Sequence, residues 1–432
     1  MNKPLFYISA PFNTYSGYGA RSRDVIKSII KSDKYNVKLL SQKWGNTPWE
    51  FIQNHEEEWG FLLDHLHNQN DSQTQPDIWM QITVPNEFQP VGKYNIGVTA
   101  GMETTLVHHT WVEGINRMDL TLVSSEHSKQ SFLNSVYTQH NQQNQPIGEI
   151  KVTKPIEVLF EGANLDVYKP TTEPCLIDVN IPEKFAYLFV GHWMQGNVGE
   201  DRKNVGLLVK AFFETFKNKT NAPALILKTA IAGASYTNRT KLVDRINQIK
   251  STVNAKFLPN VYLLHGEFSD EEMNSLYNHP KVKAMVCLTK GEGFGRPLLE
   301  FSLTKKPIIA TNWSGHTDFL KSEFTTLLNG ELKNVDQSAV VKDMILAESQ
   351  WFSPNPGEIG FYLKDMVDNY KKYAELGKRQ THYSKTNFSW EKMHEKLNEY
   401  LDKNIPEFPK QVKLELPKLK KIELPKLKKI EA

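Results

Sequence analysis

The sequence predicts an α/β protein of two Rossmann-like, doubly wound domains, with a C-terminal helix and an extended tail. Three observations carry this expectation. At ~100 to 200 residues per domain, a chain of 432 residues is long enough for two substantial cores. Two series of short apolar runs alternate with helix-patterned segments, as parallel sheets with crossover helices require. Between the series, residues 169 to 184 contain Pro170, Pro174 and Pro182 and read as a linker.

The first series opens with LFYISA (Leu5 to Ala10), a buried strand, and continues with a helix from Ala20 onward that sets Val25, Ile26, Ile29 and Ile30 at helical spacing. SGYG lies between them as a loop. Further strands are expected at Ile78 to Ile82, Tyr94 to Thr99, Leu120 to Ser124 and Ile156 to Leu159. The second series begins with AYLFVG (Ala186 to Gly191) and proceeds through Leu225 to Lys228, Val261 to Leu264, Ala284 to Leu288 and Pro307 to Ala310. Ser269 with Glu272 forms a capping box ahead of Met273, Leu276 and Tyr277, which announces one of its helices. Residues 391 to 404 form a final amphipathic helix. The expected divisions are 1–170, 171–385, a helical segment 386–408 packing back toward the first domain, and a basic tail 409–432.

In that tail LELPKLKK (414 to 421) repeats as IELPKLKK (422 to 429), and a proline every eight residues forbids a continuous helix. It reads as a solvated tether, with weak docking to an anionic membrane surface or partner as the sharper alternative. Residues 410 to 432 carry eight Lys against three Glu, so the net charge of +3 leaves a body of about −2. Such a body lacks the basic footprint of a protein that grips nucleic acid through many phosphates. No run approaches the ~18 apolar residues of a spanning helix, and the first thirty residues lack a secretory apolar core, so a cytoplasmic location is expected. Cys175 and Cys287, far apart, support neither a disulfide framework nor a cysteine zinc site.

The most informative stretch is TKGEGFGRPLLEF (Thr289 to Phe301), directly after a strand. Gly291, Gly293 and Gly295 allow a tight turn and close approach to a ligand, and Pro297 suits the first turn of a helix. A helix N-terminus there offers unpaired amides and partial positive charge to an anion such as a diphosphate. Glu292 lies in the loop and Glu300 about one turn into the helix, so both can face the crevice at the carboxyl ends of the strands. A second element, DRKN (Asp201 to Asn204), precedes the apolar helix Leu207 to Phe213. Arg202 and Lys203 oppose the macrodipole at that helix start, which calls for an anion nearby. Without a ligand, these motifs read as a glycine-rich turn with solvated carboxylates and as two solvated charges.

With its Glu, seven residues, Glu spacing, this stretch resembles the large retaining glycosyltransferase family four of the GT-B type (glycosyl transferases group 1). The resemblance implies two domains facing across a cleft, with the nucleotide-sugar on the C-terminal one. It further implies that Glu300 anchors the donor ribose and Glu292 lies beside the sugar, with Phe294 in the donor loop, while Arg202 and Lys203 neutralise the diphosphate and stabilise the leaving group. Many family members carry Arg after the strand glycine where this chain has His192, although the RKN variant lacks that Arg too. SGYGARSRDVIKSI resembles the family's glycine loop, whose amides near Gly17 and Gly19 approach the donor phosphate and acceptor. In the segment from Tyr94 to Ser135, Glu103 matches a family Glu, and Met102 stands where Trp is frequent. NWSGHTDFL places Ser314 and Gly315 near the donor. These motifs extend from Leu5 to about Lys403.

The implied activity moves a sugar to an acceptor hydroxyl on a glycan, lipid-linked sugar, protein or modified base, with retention and without metal or cofactor. The non-enzyme alternative is a nucleotide-sugar-binding or scaffolding protein without turnover; a leaving-group clamp argues against it. Asp-x-Asp occurs nowhere in the chain, and adjacent His108 and His109 lack the helical spacing of zinc ligands. SGYG lacks the third glycine of a dinucleotide fingerprint. Two carboxylates on one loop and helix turn suit a nucleotide donor better than a glycosidase, which needs them across its substrate. Residues 44 to 76, rich in Trp, His, Asn and Gln, read as an acceptor-side insertion.

Overall fold

A computed structural model describes residues 3–68, 75–177, 179–231 and 235–408. In the N-terminal half, β1 (Leu5–Ala10) leads into α1 (Gly17–Lys31) and β2 (Asn36–Ser41). Short helices α2 (Phe51–Asn54) and α3 (Glu56–Trp59) follow, then β3 (Ile78–Ile82), β4 (Tyr94–Val98), α4 (His109–Asn116), β5 (Leu120–Val123) and α5 (Glu126–Asn134). A polar hairpin of β6 (Tyr137–His140) and β7 (Pro146–Ile150) precedes β8 (Ile156–Val158). Among the described residues, the parallel sheet runs β2-β1-β3-β4-β5-β8. The helix expected from Ala20 starts three residues earlier, at Gly17, because the Ser16 side chain accepts from the Gly19 amide and caps it. SGYG is therefore a cap and first turn, not a free loop.

The C-terminal half repeats the plan with β9 (Ala186–His192), α6 (Val205–Phe216), β10 (Ala224–Ala230), α7 (Tyr236–Ser251), β11 (Val261–Leu264), α8 (Asp270–Asn278), β12 (Val282–Cys287), α9 (Arg296–Ser302), β13 (Ile308–Thr311) and β14 (Thr326–Leu328). The expected capping box of Ser269 and Glu272 opens α8. The sheet order is β11-β10-β9-β12-β13-β14, so the winding reverses between β9 and β12. An antiparallel pair, β15 (Gly330–Asn334) and β16 (Gln350–Pro354), is followed by α10 (Pro356–Asp368), α11 (Tyr370–Asn387) and α12 (Trp390–Asn404).

Helix α12 belongs to the other half's core. Its Trp390, Met393, Leu397 and Leu401 pack in one cluster with Phe6, Ile8, Val25 and Ile26. The returning chain crosses the outgoing one at Ala163, whose amide donates to the Phe388 carbonyl while its own carbonyl accepts from Trp390. A Cβ on Gly162 would lie 2.5 Å from the Trp390 Cα, so the crossing needs glycine there. No helix among the described residues is long and apolar enough to cross a membrane. The repeat tail, 409–432, lies outside the described residues, as do 69–74 of the 44–76 segment.

Candidate active site

Strands β9 and β12 are neighbours, and each releases its loop at the same edge, where the winding reverses and open α/β sheets bind ligands. DRKN leaves β9 and TKGEGFG leaves β12. The Lys290 amide donates to the Arg202 carbonyl at 2.8 Å and ties the two loops together. Buried Asp201 accepts from the Val205 and Gly206 amides and caps α6, which turns Arg202 and Lys203 out toward β12.

The charges converge there. Lys203 Nζ lies 2.5 and 2.6 Å from the two Glu292 oxygens. Arg202 Nη1 lies 3.1 Å from Glu103 of the N-terminal domain and 3.9 Å from Glu292. The anion that two cations at a helix start call for is thus supplied by the chain itself in this state, from both domains. Glu292 is 5% exposed. Burial pushes its carboxyl up, but Lys203 and Arg202 beside it outweigh that and hold it below the ordinary range. His192, standing where many family members have Arg, adds no charge: burial, with Lys203 and Arg202 nearby, pushes it down to about 4.

The glycines act differently from the sequence expectation. Of the three in the loop, Gly295 alone has a left-handed φ, 98°, which turns the chain into α9. Gly291 and Gly293 instead lie against the other domain. A Cβ at 291 would stand 1.9 Å from the Glu103 carbonyl oxygen, and one at 293 would stand 2.4 Å from that of Ala100. Ser124 Oγ donates to the Gly293 carbonyl across the same seam at 3.0 Å. The absent side chains let the domains close, because a local turn does not require them.

The remaining expected residues fall on both sides of this seam. Ser314 Oγ accepts from the Glu292 amide at 2.9 Å, and the Gly315 amide donates to the Glu292 carbonyl, so both hold the loop from below. Phe294 is buried against Phe319. Gly17 is exposed with nothing within 4 Å of a Cβ position. The Gly19 amide is already used by the Ser16 cap, which removes it as a donor to a phosphate in this state. Tyr18 between them bonds Thr99 Oγ1 at 2.8 Å and stacks on Trp44 at 4.0 Å, which ties the start of the 44–76 segment to α1.

Glu300 lies in a second buried cluster rather than with Lys203. Its carboxylate accepts from Tyr277 Oη and from Arg296 Nε, each at 3.1 Å. Arg296 Nη1 reaches Asp24 of α1 at 2.7 Å. Burial, only partly offset by Arg296, pushes Glu300 up to about 7. Sequence reasoning missed Arg296, Asp24 and Tyr277. One signal was present: Arg296 is a cation at the first position of a helix, where the macrodipole disfavours it. Lys290 was missed too; 1% exposed, it pairs with Glu200 at 3.3 Å.

His108 caps α4 and lies 3.5 Å from Asp343, while His109 lies 3.2 Å from Glu113. Neither reaches the cluster's carboxylates by any contact of this kind. A cavity of about 530 Å³ lies along α11, lined by Phe324, Arg379, His382 and Tyr383, and holds none of the clustered carboxylates. Among the described residues, no group of three His, Cys, Asp or Glu is placed to hold a metal ion.

Residues 195–351, which contain both loops, match the family model described as "Glycosyl transferases group 1". No curated protein matches the chain by sequence. The fold is similar to that of Anabaena Alr3699/HepE in complex with UDP and glucose, at 13% identity over 93% of this chain and 100% of that one, TM-score 0.56. It is also similar to a glycosyltransferase from Rickettsia africae ESF-5, at 16% identity over 94% and 99%, TM-score 0.59. Sucrose-phosphate synthase from Thermosynechococcus elongatus gives 11% identity over 93% and 99%, TM-score 0.58. The loops that gather the charges at the switch point are thus those of a glycosyl transferases group 1 domain, and the chain is a glycosyltransferase of the two-domain GT-B fold.

Proposed function

We propose that the chain is a retaining, family-four enzyme that moves a sugar from a nucleoside-diphosphate sugar to an acceptor hydroxyl. The observation that carries this reading is the convergence of Arg202, Lys203, Glu292 and Glu103 on the seam between domains. Residues 171–385 hold the donor, residues 1–170 the acceptor, and 386–408 returns to the first domain. Anabaena Alr3699/HepE, of like fold, has been crystallised with UDP-glucose, which supports a nucleotide-sugar donor.

In this reading the donor diphosphate takes over Arg202 and Lys203 from their protein carboxylates. The two cations then stabilise the charge that grows on the leaving diphosphate in a water-poor site. Glu292, released from Lys203, accepts from sugar hydroxyls, and Glu103 lies on the acceptor side of the same pair. Glu300 accepts from the ribose diol; a carboxylate has lone pairs for both hydroxyls beside its existing bonds. Ser314 and Gly315 fix the Glu292 loop, Phe294 seats its base, and Gly17 leaves the start of α1 open toward the substrates. Because the two cations supply the positive charge, turnover is expected to survive EDTA. The chain is assigned to the cytoplasm, consistent with exposed Cys175 and buried Cys287 both being unpaired.

The test is release of nucleoside diphosphate from a panel of sugar donors, compared between wild type, Glu292→Gln and Arg202→Ala, with the product anomer read by proton NMR. Loss of release in both variants and a retained anomer are expected. Binding of a donor with no release by wild type would instead make the chain a nucleotide-sugar-binding protein, and an inverted product would reject the family-four assignment.

A further inference from the structure

Arg296 stands where a cation is least expected and is held by carboxylates from both domains. At the first position of α9 its charge opposes the helix dipole, so its placement is maintained by partners outside the backbone. One edge of the guanidinium meets Glu300 at 3.1 Å, four residues along the same helix. Another nitrogen meets Asp24 of α1 at 2.7 Å, across the seam. Glu161, on the segment leaving the N-terminal domain, is buried and interacts with Arg296 and with Arg21, which donates to the Phe160 and Leu159 carbonyls. Asp24 is itself buried, with Arg21 and Arg23 on its own helix. A planar guanidinium can hold two carboxylates at once in fixed geometry, which a lysine ammonium on a flexible stem cannot.

We propose that Arg296 is a positioning residue that couples domain closure to donor binding, by clasping Asp24 with one edge and orienting Glu300 with the other. The inference rests on the reading of Glu300 as the ribose anchor. When the domains part, Asp24 leaves with α1, and Arg296 is free to rotate away from its own helix. Glu300 then loses the partner that aims its carboxylate. Closure therefore sets the anchor, and a donor that needs the anchor favours closure in return, since coupling between two such events is reciprocal.

The experiment uses the full chain as wild type, Asp24→Asn, Arg296→Gln and the double variant. Each is titrated with UDP, GDP, ADP and CDP, and small-angle X-ray scattering is recorded for each free protein. For the diphosphate that wild type binds best, the Kd should rise on the order of tenfold in either single variant, the size usual for loss of coupling between two sites. The double variant should bind no more weakly than Arg296→Gln, because both substitutions cut one clasp, and every variant should have a larger radius of gyration than wild type. Effects that multiply in the double variant, or an Asp24→Asn protein with wild-type Kd and radius, overturn the inference. Glu300→Ala separates the two readings. If it binds as tightly as wild type, the ribose role of Glu300 falls and the proposal with it; if it weakens binding while Asp24 and Arg296 act independently, only the clasp falls. A wild type that binds none of the four diphosphates overturns both.

Discussion

Lys203→Met tests the central pair of the site without introducing a clash. The ammonium lies 2.5 and 2.6 Å from the two Glu292 oxygens, and Arg202 is 3.9 Å from the same carboxylate. Breaking a buried pair by removing one partner costs about 3–5 kcal/mol, because the remaining charge stays desolvated. Arg202 remains to screen Glu292, so a loss near ~3 kcal/mol is expected. For a domain of about 200 residues, each kcal/mol moves Tm by roughly 2–4 °C, which places the variant about 6–12 °C below wild type near neutral pH. The pH dependence follows from the sign of the Glu292 shift. In wild type the carboxyl is held below its ordinary value, so its stabilisation is present above the unfolded-state range and is lost as pH falls through the lower folded value. In Lys203→Met burial prevails, the folded value rises, and the deficit should shrink as the solution is acidified and Glu292 takes up a proton. Thermal unfolding of both proteins at about pH 7.5 and about pH 4.5 reads this out. A variant melting within ~2 °C of wild type at the higher pH, or with an equal deficit at both, refutes the reasoning. Lys203→Met/Glu292→Gln should recover most of the loss, since no charge is then left buried and unpaired.

Gly291→Ala places a Cβ 1.9 Å from the Glu103 carbonyl oxygen across the seam. It should open the domains and lower kcat/KM by about 100-fold, equivalent to some 2.7 kcal/mol of transition-state stabilisation, while Tm stays close to wild type because no core is disturbed; scattering and steady-state kinetics check both halves. Burial pushes Glu300 up to about 7 against the opposing pull of Arg296, so donor affinity that needs the ionised carboxylate should fall as pH drops below about 7. The same shift makes Glu300 a source of stability that is lost as pH rises through that value; Glu300→Gln should flatten both profiles, measured by calorimetry and by unfolding. Leu397→Ala removes a fully buried side chain of α12 from the N-terminal core and should cost about 2–5 kcal/mol; a melting curve unchanged from wild type would mean that α12 merely rests on the surface.

Local pattern reached far into this protein. The apolar runs LFYISA and AYLFVG, each bounded by helix-patterned sequence, gave two wound sheets, and the Ser269–Glu272 cap and the terminal amphipathic helix occur where their spacing places them. Strand β2 was not legible, because NVKLLS at a sheet edge lacks a clean apolar run, and neither was the polar hairpin of β6 and β7, whose strands are largely exposed. DRKN and TKGEGFG marked themselves as chemistry by composition. Which charge meets which was decided only by the folded chain: Glu103 to Arg202, Asp24 to Arg296, and Glu300 to Tyr277 instead of the Lys203 cluster. Periodicity and capping depend on neighbours a few residues apart, whereas these pairs join distant segments; a cation at a helix start, Arg202 or Arg296, signals locally that an anion is needed but not which one. Gly291 and Gly293 show the difference at single atoms. Read along the chain they are turn residues; in three dimensions they are the clearance that lets one domain rest against the backbone of the other.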